Sequence, residues 1–246
     1  HWPETMVSYL AEEKTLFTCD FFGSHLATSD LYATDEARAL DSAKRYYAEI
    51  MMPFRKAIEK NLEKLARLEI GTIAPSHGPV WRRPEPILDA YREWVLGPPQ
   101  NRTVLAHVSM HDSTRLMVEH LTGALVNRGV ALERFDLVNV DLGQLAMALV
   151  DAATLVLASP TVLGGPHPHV ASAAYLVGAL KPKTKCLGVI GSFGWGGKMV
   201  ETLHGLTSGL EVEKLEPVLV RGLPKDADMA KLDLLADTIA AAHDRL

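Results

Sequence analysis

The sequence predicts an α/β protein whose larger part is a doubly wound, five-stranded parallel sheet. Apolar runs near 103–109, 131–136, 153–159, 184–190 and 216–221 alternate with helical patterns near 114–128, 142–150, 168–180, 197–208 and 227–244. Strands separated by helices pair in parallel and are covered on both faces. The nearly continuous run Ala153-Thr-Leu-Val-Leu-Ala-Ser159 suits a central strand buried on both sides. The first strand of the series runs into a hydroxyl-rich turn, after which Leu116, Met117, Leu121 and Leu125 fall at helical spacing.

The elements before that alternation show a different pattern. A strand is predicted near 15–22, a polar loop to about 34, and a long helical region over about 35–67. Pro53 lies inside the helical region and lacks the N–H that a helix interior needs, so a break or kink is expected there. A short strand-like run over 68–74 ends at Pro75-Ser-His-Gly-Pro79, and 84–95 reads as another helix. Gly97-Pro-Pro-Gln-Asn101 has the composition of a linker, dividing residues 1–98 from 99–246.

At 246 residues the chain can hold one large domain or two modest ones, and 48% hydrophobic with 22% charged residues is ordinary for a globular protein. A net charge of −5 without any Lys/Arg run gives no footprint for nucleic acid. No apolar run is long enough to span a bilayer, and no signal peptide is evident. Cys19 and Cys186 lie far apart and neither belongs to a CxxC pair, so reduced thiols in a cytoplasm are expected. The chain opens on His1-Trp-Pro without an initiator Met, which suggests a front portion removed or not shown.

Three predicted strand ends carry cofactor chemistry. The first is Ser109, Met110, His111, Asp112, Ser113 and Thr114, where a helix N-terminus and hydroxyl donors converge as a phosphate seat. The second runs from Ser159 through Pro160, Thr161, Val162, Leu163 and Gly164 to Gly165, whose glycines let backbone approach a planar ring. The third is Gly191 and then Ser192, Phe193, Gly194, Trp195, Gly196 and Gly197, glycine-rich with two aromatics to border that ring. Each alone is an ordinary turn. Three at alternate positions of one sheet make a ligand site, because ligands bind outside the carboxyl ends of parallel strands at a switch point.

In the first part His1, Asp20 and His77 sit at predicted element ends. Imidazoles with a carboxylate able to bridge suit zinc or a non-haem iron pair, although a lone Asp or His in a loop is more often a surface or capping residue.

The three loops of the second half resemble those of the flavodiiron proteins (A-type flavoproteins), and 102–246 resembles a flavodoxin-like FMN domain. His1-Trp-Pro-Glu-Thr-Met, Cys19-Asp-Phe-Phe-Gly-Ser-His25 and Pro75-Ser-His-Gly-Pro resemble that family's metal-ligand segments in the family's order. The resemblance implies that 1–98 is the second half of a metallo-β-lactamase-like αββα domain. It also implies that the 109–114, 160–164 and 192–197 loops hold FMN. His1 and His77 would each ligate one iron, Asp20 would bridge both, and His25 with Tyr46 or Tyr47, Tyr47 being preferred, would face the substrate.

Two departures stand out. The family carries Gly near Asp112, and a carboxylate there is expected to repel a phosphate. The family's upstream H-x-E-x-D-H ligand motif is absent, and His107, His111, His120, His167 and His169 lie in the flavin half and cannot replace it. Three ligands are too few for two metals, so a complete di-iron centre needs ligands from outside this chain.

The resemblance thus implies a flavodiiron-type reductase of O2 to water or of NO to N2O. It would be a head-to-tail homo-oligomer fed by a separate donor such as rubredoxin or a flavin reductase. The rival readings are a flavodoxin-like electron-transfer module with a non-catalytic lactamase-like remnant, and a zinc hydrolase.

Overall fold

In the computed structural model, which describes residues 5–246, the chain divides into the units His1–Pro98 and Pro99–Leu246. In the first unit β1 (Ser8–Leu10) pairs antiparallel with β2 (Thr15–Cys19), and β2 pairs parallel with β3 (Thr72–Pro75). Leu16, Thr18 and Ile73 point to the buried face of this small sheet, while Phe17 is exposed on the other. β1 has no counterpart among the sequence-based expectations, being a three-residue edge strand too short for a periodicity signal. β2 stops at Cys19 instead of reaching 22, because Cys19 takes a left-handed backbone (φ 53°) and turns the chain out of the sheet.

The long helical region resolves into α1 (Glu36–Tyr46), a π-helical turn (Tyr47–Met51), a 3-10 turn (Met52–Phe54) and α2 (Arg55–Leu65). The Asp35 carboxylate caps α1 by accepting the Arg38 N–H at 3.1 Å. The expected break takes a specific form. Pro53 has no N–H to give the carbonyl four residues back and its ring would crowd that carbonyl, so the helix widens just upstream. The Met52 N–H accordingly reaches the Tyr47 carbonyl, five residues back. α3 (Glu85–Leu96) completes the unit, contributing Tyr91 and Trp94 to a buried aromatic cluster with Phe21, Phe22 and Tyr47.

The second unit contains β4 (Gln100–His107), α4 (Ser113–Val126), β5 (Ala131–Asp136), α5 (Leu142–Leu149), β6 (Ala152–Val162), β7 (Gly165–Pro166), α6 (Pro168–Leu180), β8 (Cys186–Phe193), α7 (Met199–Leu206), β9 (Glu213–Lys214), β10 (Val218–Arg221) and α8 (Asp226–His243). The five main strands pair in parallel in the order β10-β8-β6-β4-β5, with the topological switch point between β4 and β6. β7 and β9 are two-residue additions at the sides of β6 and β8. The expected linker is shorter than its composition suggests, since Gln100 and Asn101 already belong to β4.

Alternate residues of the strands feed two cores. Val104, Leu155, Leu157 and Val189 pack under α5, α6 and α7, while Leu105, Val156, Ala158 and Ile190 pack under α4 and α8. The buried residues 152–159 therefore serve both layers.

One polar network lies inside this apolar frame. His243, at the end of α8, has Nδ1 at 2.8 Å from Asn101 Oδ1 and Nε2 at 2.7 Å from Thr154 Oγ1, and both His243 and Thr154 are buried. Burial holds the His243 imidazole below the usual histidine range. The unfolded chain therefore takes up this proton first, at its ordinary pKa of about 6.5. The contribution to stability is full above that pH and is lost as the pH falls toward the folded value. His243→Ala, leaving Thr154 and Asn101 without their partner, should cost about 2–3 kcal/mol near pH 7.5. In urea denaturation it should flatten the fall in stability of the native chain as the pH drops below about 6.5; an unchanged slope would remove His243 as its source.

Candidate cofactor and metal sites

At the carboxyl edge of the large sheet, three loops leave adjacent strands. After β4 the chain passes through Ser109, Met110, His111 and Asp112 into α4, whose first turn holds Ser113 and Thr114. The Ser109 Oγ accepts the Arg115 N–H at 3.1 Å and folds the loop over that turn. Thr114, itself buried, shares a 3.1 Å hydroxyl–hydroxyl hydrogen bond with Ser192 at the end of β8. That bond ties the first loop to the third across the sheet edge.

The second loop is a tight hairpin. Pro160, Thr161 and Val162 end β6, Val162 pairs with Gly165 of β7, and Leu163 and Gly164 form the tip with φ of 50° and 79°. Two positive φ values in a two-residue hairpin define the type I′ turn, which glycine accepts and leucine resists. Leu163 is nonetheless there, and it is fully exposed. The Gly164 carbonyl accepts the Lys198 N–H at 2.7 Å, joining this hairpin to the end of the third loop. Gly197 lies so close to Gly164 that a Cβ would sit 2.5 Å from the same carbonyl oxygen. Phe193 ends β8 half-buried, Gly194, Gly196 and Gly197 are exposed, and Trp195 is 80% exposed.

Asp112, the residue expected to repel a phosphate, has a left-handed backbone (φ 63°) and 67% of its side chain exposed. Its carboxylate accepts from Arg115 Nε at 2.8 Å, and this hydrogen bond with the guanidinium charge holds it below the usual carboxylate range. A left-handed position at the start of α4 is one that glycine would fill without strain.

In the first unit Asp20 and His77 come together. Asp20 lies just after β2 and His77 just after β3, and His77 Nε2 is 3.2 Å from Asp20 Oδ1. Backbone contacts hold the two segments in register: the Ser76 N–H reaches the Cys19 carbonyl at 2.7 Å and the Ser24 N–H reaches the His77 carbonyl at 3.0 Å. Gly78 (φ 80°) packs against Ser24 where any side chain would collide. Asp20 is buried while His77 is about half exposed. His1 lies outside the described residues.

His25 is placed beside this pair by Tyr46: the His25 and Tyr46 rings are 4.6 Å apart edge to face, and the Tyr46 and His77 rings 6.2 Å apart. The preference for Tyr47 is corrected here. Tyr47 is wholly buried against Tyr91 and Trp94, its hydroxyl 3.5 Å from the Trp94 carbonyl. One residue is 100° around a helix, so only one of two adjacent tyrosines can face His25 and His77. Burial, then the charges of Asp20 and Cys19, push the Tyr46 phenol up to about 12, so its hydroxyl stays protonated and able to donate near neutrality.

Some participants were not legible in the sequence. Glu49 lies 4.0 Å from His25 Nδ1 and is itself held by Arg45 at 3.1 Å; its spacing of three from Tyr46 was the available signal. Arg115 carried the same kind of signal, three residues after Asp112 and four before Glu119, whereas the Lys198 N–H carried none, since its role depends on how the loops fold. Among the described residues, no group of three or more His, Cys, Asp or Glu is placed to hold a metal ion.

Comparisons with known proteins agree with this architecture. Residues 1–78 match the model of the ODP family beta lactamase. The chain is 34% identical over 98% of its length to a nitric oxide reductase of Moorella thermoacetica, covering 62% of that protein. It is 31% identical over 98% of its length to a rubredoxin-oxygen oxidoreductase of Megalodesulfovibrio gigas, again covering 62%. The solved rubredoxin oxygen:oxidoreductase of Desulfovibrio gigas superposes with a TM-score of 0.93 at 30% identity, over 100% of this chain and 63% of that one. A flavodiiron protein of Giardia intestinalis gives 0.85 at 25% identity, over 99% of this chain and 62% of that one. The chain thus spans a little over three fifths of the length of these relatives.

The two tyrosines are separable by experiment. Tyr47→Ala opens the aromatic core and should cost about 3–5 kcal/mol. Tyr46→Phe, which keeps the ring, should leave stability within about 0.5 kcal/mol. Tyr46 is itself nearly buried, so a loss at Tyr46→Phe as large as that at Tyr47→Ala would show that its hydroxyl is needed for the fold and not reserved for the site.

Proposed function

We propose that this chain is part of a flavodiiron-type protein and functions in the reduction of O2 to water or of NO to N2O, with residues 99–246 as the flavin-binding part. The observation that carries this reading is the convergence of three loops at the switch-point edge, joined by the Thr114–Ser192 and Gly164–Lys198 hydrogen bonds. The donors there fit FMN. The start of α4 turns the positive end of its dipole toward the first loop, where the Ser113 N–H bonds the His111 carbonyl and the Arg115 N–H bonds Ser109 Oγ, and the Ser109 and Ser113 hydroxyls stand there as donors, a setting that suits a phosphate. Gly164, Gly194 and Gly196 leave open space at the second and third loops where a ring could approach, with exposed Trp195 beside them. Bound FMN would supply electron carriage between a donor and an acceptor. The protein's part is to fix the phosphate at the helix end and to keep the hairpin and the glycine loop in one arrangement.

For metal, the described residues offer Asp20 and His77. That set is too small for two iron ions, and we assign Asp20 and His77 as two of the ligands, the rest lying outside the described residues. We assign His25 and Tyr46 to the substrate side, where they can donate or hold a proton beside Asp20 and His77. A separate donor of the rubredoxin or flavin reductase kind, a head-to-tail homo-oligomer and a cytoplasmic location complete the proposal. No helix among the described residues is long and apolar enough to cross a membrane.

The second reading is a flavin electron-transfer module without metal chemistry. Metal and flavin analysis separates the two: stoichiometric flavin with iron and O2 or NO consumption supports the reductase, and stoichiometric flavin without iron supports the module. In either case Gly197→Ala should force the third loop off the Gly164 carbonyl and weaken FMN binding at least about tenfold in a fluorescence titration, a loss of about 1.4 kcal/mol. Absence of flavin binding by the unaltered chain would refute the flavin assignment.

A further inference from the structure

The second loop is tethered at its base by residues outside the cofactor site. Its hairpin is two residue pairs long, Thr161 with Pro166 and Val162 with Gly165, and its tip is strained at Leu163. A ladder this short does not hold itself, so the loop depends on what closes its base. Buried Ser159 closes one side: its hydroxyl accepts the His167 N–H and donates to the Pro160 carbonyl, both at 2.8 Å. Half-buried His167 continues the closure on the other side. Its ring Nδ1 accepts the His169 N–H at 3.2 Å, which also caps α6. The His169 ring, 5.2 Å away and edge to face, has Nδ1 2.7 Å from the Leu137 carbonyl after β5. A backbone N–H can only donate and a carbonyl can only accept, so both proton positions are fixed. His169 carries a proton on Nδ1. His167 carries none there and is neutral.

Resting on the flavin reading above, we propose that His167 is the positioning residue of the second flavin loop and holds that loop only while its imidazole is neutral. A proton on Nδ1 sets one donor against another, removes the cap of α6 and places positive charge at that helix start and beside the His169 ring. The line of contacts from Ser159 to Leu137 then parts at its middle, at the residue whose own N–H closes the hairpin. Burial, then His169, hold the His167 imidazole below the usual histidine range. The other titratable and charged groups on the elements packed around it are Tyr175 on α6, His107 at the end of β4, Asp136 and Asp141 in the loop after β5, and Lys198, Glu201 and His204 at and within α7; β6, β7 and α5 carry none. The unfolded chain takes up the proton first, at its ordinary pKa of about 6.5. The tether is therefore complete above that pH and is lost as the pH falls toward the lower folded value.

The test is a titration of the full chain with FMN and, in parallel, riboflavin, at pH of about 7.5 and about 5.0, monitored by flavin fluorescence. His167→Asn and His167→Ser keep an acceptor at the cap and take up no proton there. On going from the higher pH to the lower, the unaltered chain should lose about threefold to tenfold more affinity than either variant, the size expected for one helix cap. That difference should be alike for both flavins, since the FMN phosphate titrates equally with every protein and riboflavin has none. His167→Ala, which has no acceptor, should bind more weakly already at the higher pH and show no such extra loss. Circular dichroism at both pH values confirms that each protein is folded. Nuclear magnetic resonance of the flavin-free chain gives a second readout: the His169 amide signal should shift along with the His167 imidazole titration. Equal pH dependence in the unaltered chain and both capping variants would overturn the role of His167 while leaving the flavin site standing. A His169 amide that ignores the His167 titration would overturn the tether itself. Binding of neither flavin by the unaltered chain at the higher pH would overturn the flavin reading, and the loop's part in it as well.

Discussion

The geometry of the second unit depends on how β6 is buried. From 152 to 159 no residue of this strand meets solvent, and it is paired in parallel on both sides. Its side chains alternate between two separate cores, so a register slip of one residue would exchange the layers. That requirement fixes β4 and β8 against it, with Ala106 opposite Leu157 and Ser159 opposite Gly191. The loops that leave these strands inherit the register. Thr114 can meet Ser192, and Gly164 can meet Lys198, because the central strand allows one alignment only.

The first unit achieves convergence differently. Its strands are short, and the chain leaves them through strained backbone: Cys19 and Phe22 are left-handed non-glycine residues on either side of Asp20. Such conformations each cost of order 1–3 kcal/mol and persist where surrounding structure over-determines them. Here the surroundings are the stacked Phe21 and Phe22 rings, packed on Tyr91. This stacking holds the turn that carries the buried Asp20 carboxylate beside His77.

How much of this was legible in the sequence depends on where the information resides. The parallel sheet was legible because buried strands such as 153–159 are apolar without interruption and the helices between them show their spacing. The loops were legible as groups of residue types. Their internal bonds were not, since Thr114 finding Ser192 is set by tertiary register and not by local sequence. The outward turn of Asp112 rests on a left-handed backbone and a partner at the next helical turn, neither of which composition reveals. Tyr46 and Tyr47 could not be told apart because the sequence predicts a kink at Pro53, while the helix widens ahead of it.

That widened turn between 47 and 51 also behaves as a phase insert. It adds to the helix about one residue more than an α-helical path would need, which amounts to roughly 100° of rotation between the α1 side and the α2 side of the turn. A lineage that lost one residue there would recover uninterrupted α-helical spacing and face an exclusive choice. Either Tyr46 rotates away from His25 and His77, or α2 rotates off its contact with α3. Point substitutions can drift within this segment, but changes in its length cannot, so the length of the 47–51 turn should be guarded more strictly than its composition.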